Sequence, residues 1–204
     1  MSEKPRLYRE LQDMIDQILD RLGTPTSDFA NLFSSMLQML QYIAIVRRYV
    51  DLDQGFMVVD TFEGVSNGSS SYIYIENPEN SGKVMEIIEL SLIGSAKGKV
   101  RMYTPDRFTV TSLGTDVEPI CLNGNDVQSS MIIRKNGTYN ITGNPKGRNI
   151  ITGGEKSKAI GGELAVAIGL KIRQGKKILI EILNDSGSSA DYSFRILWVE
   201  YNED

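Results

Sequence analysis

Carboxylates are the side chains of this 204-residue sequence that could perform catalysis without a cofactor. Two of them, about 5 to 9 Å apart across a cleft, can hydrolyse a glycosidic bond as acid and nucleophile or base. The candidates are Asp51, Asp53, Asp60, Glu76, Glu86 and Glu89. Their spacing gives no reason for any two to face each other, so the sequence does not predict a glycosidase.

Histidine is absent from the sequence, which removes Ser-His-Asp and Cys-His catalysis together with histidine metal sites. Cys121 is the single cysteine, so neither an internal disulfide nor a thiolate metal cluster can form within one chain. We therefore expect a protein that is not an enzyme and that needs no cofactor or metal.

The segment Asp51–Gly55 begins like the loop of a calcium-binding EF-hand. That loop needs glycine at its sixth position and a bidentate glutamate at its twelfth. Phe56 and Phe62 occupy those positions here. We interpret the segment as a linker between a helix and a strand.

The charge balance argues against nucleic acid as a partner, because the net charge is −4 and phosphate binding needs a concentrated positive surface. The nearest basic cluster is Lys146, Arg148, Lys156 and Lys158. It lies in residues 143–162, a stretch rich in Gly, Asn and Lys that also contains Glu155. We predict a loop there, either solvated or in contact with a partner.

Apolar residues recur at spacings of three and four over residues 7–22, which predicts an amphipathic helix. Gly23 supplies the stop, and the following Thr, Pro, Ser and Asp residues supply the start of a second helix over 28–49. We expect a helical hairpin or arm over residues 1–50, followed by a β domain over 51–204.

The second helix is apolar over well over half of its circumference, so it needs two neighbours. One is the first helix; the other is either the chain's own β domain or another subunit. The residues expected at an oligomerisation or docking contact are Leu11, Ile15, Ile18, Phe29, Phe33, Met36, Leu40 and Ile43.

From Gly55 onward, short alternating segments separated by Gly, Asn and Ser turns predict an antiparallel β-sandwich or jelly roll. The candidate strands are residues 56–62, 71–76, 84–93, 99–103, 107–113, 117–122, 127–134, 138–142, 163–172, 177–184 and 191–200. Asn136-Gly137 predicts a type I′ hairpin between Met131–Lys135 and Thr138–Thr142. Trp198 is expected to anchor the core from a central last strand, not to stack on a sugar.

Four segments, in order, resemble β-sandwich structural proteins of tailed-phage and related virus particles. They are Gly64–Ser69 leading into Tyr72–Ile75, the sequence ENPENSGK at Glu76–Lys83, the turn at Ile172–Lys176, and the closing strand Phe194–Glu200 with its Trp-x-Glu ending. The resemblance covers about residues 55–201. It implies a capsid decoration, head-fibre, minor capsid or tail-associated protein, a class that offers no catalytic residues to transfer.

The resemblance implies a non-enzymatic virion protein, a homo-oligomer that contacts other capsid or tail proteins. The alternative is a carbohydrate- or receptor-binding β-sandwich, for which Tyr72, Tyr74, Tyr103 and Tyr139 would form an exposed aromatic face. A cellular scaffold or trimeric signalling protein of the same fold is a third interpretation. No apolar segment of signal-peptide or membrane-span length occurs, so we expect synthesis in a host cytoplasm, a location in the virion and no membrane contact.

Overall fold

The computed structural model of the chain describes residues 47–151 and 170–202. Residues 47–51 are helical and continue through a turn at Asp53, whose φ is 57°, into the first strand. The segment Asp51–Gly55 therefore joins a helix to a strand, as interpreted from the sequence. The helices expected over 7–22 and 28–49 lie outside the described residues, except for 47–49.

Antiparallel strands make up most of the described chain. In order they are β1 (Gly55–Val65), β2 (Ser70–Glu76), β3 (Lys83–Gly94), β4 (Gly98–Tyr103), β5 (Phe108–Ser112), β6 (Thr115–Asp116), β7 (Ile120–Cys121), β8 (Ile132–Lys135), β9 (Thr138–Ile141), β10 (Gly147–Ile151), β11 (Leu170–Ile172), β12 (Lys177–Asn184) and β13 (Ala190–Asn202). A short 3-10 helix at Pro105–Arg107 precedes β5. Every strand pairing among them is antiparallel.

The strands form two larger sheets and one small sheet. Sheet A has the order β11-β3-β13-β1-β7, and sheet B has the order β10-β4-β12-β2-β8-β6. The small sheet is the pair β5-β9. The predicted mainly β class with antiparallel sheets is confirmed, and the arrangement is consistent with a β-sandwich.

Both larger sheets contribute side chains to one hydrophobic core, because alternate residues of a strand point to the same face. β13 lies between β3 and β1 and buries Tyr192, Phe194, Ile196 and Trp198, each at most 1% exposed. Phe56 of β1 stacks on Trp198 with ring centroids 5.9 Å apart. The central last strand and the role of Trp198 as core anchor are thus confirmed.

The predicted hairpin across Asn136-Gly137 is wrong. β8 pairs with β2 and β6, whereas β9 pairs with β5, so the strands on either side of the dipeptide belong to different sheets. A type I′ turn needs positive φ at both central residues, and only Asn136 has it, with φ 59°. The dipeptide carries the chain out of sheet B instead of folding it back.

The prediction of a loop over residues 143–162 is also wrong in part. Gly147–Ile151 forms β10 and pairs with β4 along its full length. Four of its five residues, GRNII, are not buried. Such a strand needs no apolar alternation, so the sequence did not reveal it. The predicted strand over 117–122 is shorter than expected, since it is a strand only at Ile120–Cys121. The described part of the strand predicted over 163–172 is a strand, Leu170–Ile172.

Gly114 packs against the backbone of the turn at Asn136-Gly137. A Cβ on Gly114 would lie 2.2 Å from the Lys135 carbonyl oxygen and 2.4 Å from the Gly137 nitrogen, and its φ is +77°. We expect Gly114→Ala to lower the free energy of unfolding by about 3 kcal/mol or more, since a backbone clash adds to the strain. Gly124→Ala is the matched control, with the same φ and nothing within 4 Å, and should cost about 1 to 2 kcal/mol. Equal losses in urea unfolding would contradict the clash.

Candidate interaction surfaces

The four tyrosines considered as an aromatic platform do gather on the outward face of sheet B. Tyr72 and Tyr74 lie on β2, Tyr103 lies on β4, and Tyr139 reaches over from β9 to stack on Tyr74 at 5.9 Å. Tyr74 and Tyr103 are nevertheless buried, and Tyr72 is half-buried, because the small sheet packs over them; Tyr139 of that sheet is buried against them. They form a second small core and not an exposed platform.

A buried carboxylate borders this aromatic cluster. Glu181 of β12 is 4% exposed and accepts hydrogen bonds from the hydroxyls of Tyr103 at 2.7 Å and Ser70 at 2.6 Å. An Arg101 Nη1 lies 3.2 Å from its Oε2. Burial, followed by the hydrogen bond and charge of Glu181, raises the pKa of Tyr103 to about 12. These donors offset the cost of burying the Glu181 charge.

Alkaline pH should destabilise the fold through these tyrosines. Burial is the main cause that raises the pKa of Tyr103 and of Tyr139 to about 12, from an ordinary value of 10.0. A phenol whose pKa is higher in the folded than in the unfolded state stabilises the fold while it is protonated. This contribution to the free energy of unfolding is complete below pH 10 and is lost between pH 10 and about 12. Urea unfolding at increasing pH should show this loss, and Tyr103→Phe should reduce it. An unchanged loss in that variant would contradict the assignment to Tyr103.

The carboxylates considered for glycoside hydrolysis have separate partners. These are Asn123 and Asn125 for Asp53, Lys135 for Asp60, Tyr74 for Glu76, Tyr201 and Lys171 for Glu86, and Arg195 for Glu89. Asp51 lies exposed at the end of the helical residues. In the described part of the chain, no group of three or more His, Cys, Asp or Glu side chains is placed to hold a metal ion.

Lys146 and Arg148, from the predicted partner loop, lie at one edge of sheet B. The Lys146 backbone nitrogen donates to the Met102 carbonyl at 2.8 Å, and Arg148 stands opposite Arg101 of β4. Both are exposed. Arg148 is therefore on an edge strand and not in a loop, whereas Lys156 and Lys158 of the same cluster lie outside the described residues.

Sequence analysis missed a groove beside the other edge of sheet B, lined also by β7 of sheet A. The groove is open, has a volume of about 860 Å³ and is lined by residues of 116–134. Asp116, Glu118 and Asp126 contribute carboxylates, while Ile120 is 59% exposed and Val127 39% exposed. Residues 113–130 contain no Lys or Arg, which is the sequence signal that could have revealed this acidic segment.

Two of the segments that carry the virion resemblance meet at a buried asparagine. Asn77, which is fully buried, donates from Nδ2 to the carbonyl oxygens of Lys83 and Ile172, both at 2.8 Å. These bonds join the ENPENSGK connection to the turn that follows β11. Asn77 thus satisfies buried backbone groups of both segments.

The eight apolar residues expected at an oligomerisation contact, Leu11 to Ile43, lie outside the described residues, so their role stays a prediction. None of the helices within the described ranges is long and apolar enough to cross a membrane. Comparison of the chain with protein-family models gives no match, and comparison with curated proteins gives no significant match.

Proposed function

We propose that the protein is a non-enzymatic structural component of a virus particle, with its β domain on a capsid or tail. The strand order carries the proposal. Four neighbouring strands of sheet A are β11-β3-β13-β1, and four of sheet B are β10-β4-β12-β2. We interpret these eight strands as the two sheets of a jelly roll, an architecture that viral capsid proteins use. β6, β7, β8 and the small sheet are additions to it.

The segments that resemble virion proteins support this proposal through their part in the fold. Asn77 joins two of them, and the closing Trp-x-Glu places Trp198 Nε1 3.1 Å from Glu200 Oε1. Glu200 also accepts the Ser129 hydroxyl at 2.5 Å. These polar residues satisfy one another inside the domain, so the resembling segments serve the fold and not a reaction. Fold and resemblance together favour a structural role, and they assign no reaction.

Assembly through the N-terminal segment remains part of the proposal. The helix predicted over residues 28–49 would have a wide apolar face, and it comes directly before the β domain in the sequence. In a symmetric shell, even a weak contact of this kind acts many times at once, so avidity replaces affinity. A binding module that works alone has no such use for a second apolar face.

The carbohydrate- or receptor-binding alternative loses the feature that motivated it. Tyr74 and Tyr103 are buried beneath the small sheet and Tyr139 is buried on its inner side, so the three offer no stacking surface to a sugar. Binding to a glycan array would revive this alternative in spite of the buried tyrosines.

Particle association is the direct test. We expect mass spectrometry to find the protein in purified virus particles from cultures that produce it, and its gene to lie among capsid, portal or tail genes. Light scattering should give an oligomer for the full chain and a smaller species for a chain that begins at Asp51. A gene among unrelated cellular functions, with no protein in any particle, would contradict the virion proposal.

A further inference from the structure

One edge of sheet B carries basic side chains, and a groove beside its other edge carries acidic ones; each surface also exposes large aliphatic side chains. β10 forms one edge, and β6 forms the other. The basic edge consists of Lys146, Arg148 and Ile150; the acidic groove consists of Glu118, Asp126, Ile120 and Val127. Protein contacts commonly combine an apolar centre with a polar rim, and both surfaces offer these two elements.

The basic edge presents its side chains in a row. Arg148 and Ile150 are two residues apart on β10 and therefore share a face, on which Ile150 is 55% exposed. Arg101, opposite Arg148, is paired with buried Glu181. Lys146 and Arg148 are exposed and have no acidic partner within the described residues.

Direct strand addition at this edge is hindered. The Asn149 side-chain oxygen accepts the Ile150 backbone N–H at 2.8 Å, which occupies a donor that an added strand would need. A partner would therefore contact side chains of the basic edge and not extend sheet B.

The acidic groove is complementary to the basic edge in charge and also exposes apolar surface. Asp116 at its rim is already paired with Arg134, but Glu118 and Asp126 are exposed and have no basic partner among the described residues. Ile120 and Val127 supply exposed apolar surface in the same groove. The groove thus offers an aliphatic contact beside two free carboxylates.

These charges cannot neutralise each other within one copy. Five strand spacings of about 4.8 Å separate β10 from β6, so the edges are roughly 24 Å apart. The screening length at physiological salt is only about 8 Å. Each edge therefore presents its own charge to the surroundings.

We propose that the basic edge of one copy binds the acidic groove of a second copy. Ile150 contacts Ile120 and Val127, while Lys146 and Arg148 pair with Glu118 and Asp126. The contact is heterologous, so repetition gives a ring or an open row of subunits. It rests on the β domain alone and goes beyond the proposed assembly through the N-terminal segment.

Charged edges also protect sheets against aggregation, and that explanation predicts a different pattern. Like charge at both edges protects best, because two copies then repel each other at every edge pairing. Opposite charges leave one edge pairing attractive. The sign difference between β10 and the groove beside β6 is therefore what points to a contact.

A charge-swap experiment on the full chain tests this proposal. One variant is Lys146→Glu with Arg148→Glu, and the other is Glu118→Lys with Asp126→Lys. By sedimentation at about 50 mM salt, we expect each variant alone to self-associate at least about tenfold more weakly than the wild type. An equimolar mixture should recover association, because each reversed edge then meets a complementary partner.

The controls separate this contact from other effects. Ile150→Ser should also weaken association, whereas Val59→Ser, 56% exposed on β1, and Lys176→Glu, in an exposed turn, should not. Unchanged circular dichroism spectra would show that the variants fold. A wild type that does not self-associate, or a mixture that fails to recover, overturns the proposal. Particle association is measured separately, so the virion proposal can fail while this contact stands.

Discussion

Trp198→Ala should lower the free energy of unfolding by about 3 to 5 kcal/mol, the range observed for large aromatic residues in cores. Trp198 is 0% exposed, stacks on Phe56 and lies on β13, which pairs with both β1 and β3. Removal of the indole opens a cavity beneath the centre of sheet A. Because domains of this size have about 5 to 15 kcal/mol of stability in total, urea unfolding should show a large shift of the midpoint.

Trp198→Phe separates the ring from its hydrogen bond. The variant keeps most of the packing on Phe56 but loses the indole N–H that Glu200 accepts at 3.1 Å. Since Ser129 and the Ser130 backbone still donate to Glu200, we expect a loss of only about 1 to 2 kcal/mol. Similar losses in the two variants would mean that the hydrogen bond, and not the buried ring, provides the stability at this position.

The sequence predicted strands best where their periodicity was strong. β13 alternates large apolar residues from Tyr192 to Trp198, and both its central position and its buried face followed from that pattern. β10 escaped prediction because an exposed edge strand has little apolar alternation. The Asn136-Gly137 hairpin failed because long-range pairing of β8 with β2 outweighed a local turn preference.

The surfaces were harder to predict than the strands. Tyr72 and Tyr74 are two residues apart, so their common face could be predicted from the sequence. Their burial could not, because the cover comes from β5 and β9, which lie far along the chain. The basic edge and the acidic groove likewise depend on which strands end up at the edges of sheet B, and that order is a property of the whole fold.

Asn77→Asp should destabilise the protein at neutral pH by about 3 kcal/mol or more, although the two side chains have nearly the same shape. Asn77 is fully buried, and its Nδ2 donates to two carbonyl oxygens. A carboxylate there cannot donate, so it would leave both acceptors unpaired and add a buried charge, each of which costs about 1 to 3 kcal/mol. The strands β2, β3 and β11 would lose the bonds that join their ends.

The dependence on pH distinguishes this mechanism from a general packing defect. An Asp at position 77 would be buried against two backbone carbonyl oxygens. Its folded pKa would therefore lie above the ordinary value near 3.9, because burial disfavours the charged form and only the protonated acid can donate to a carbonyl. A raised carboxyl pKa stabilises the fold at low pH and loses that effect as pH rises through the folded value. The deficit of Asn77→Asp relative to wild type should therefore shrink between about pH 7 and pH 4. Asn77→Ala removes the donor without adding a titrating group, so its deficit of about 2 to 3 kcal/mol should not change over that range. If both deficits respond to pH in the same way, the two hydrogen bonds of Asn77 do not hold these strand ends together.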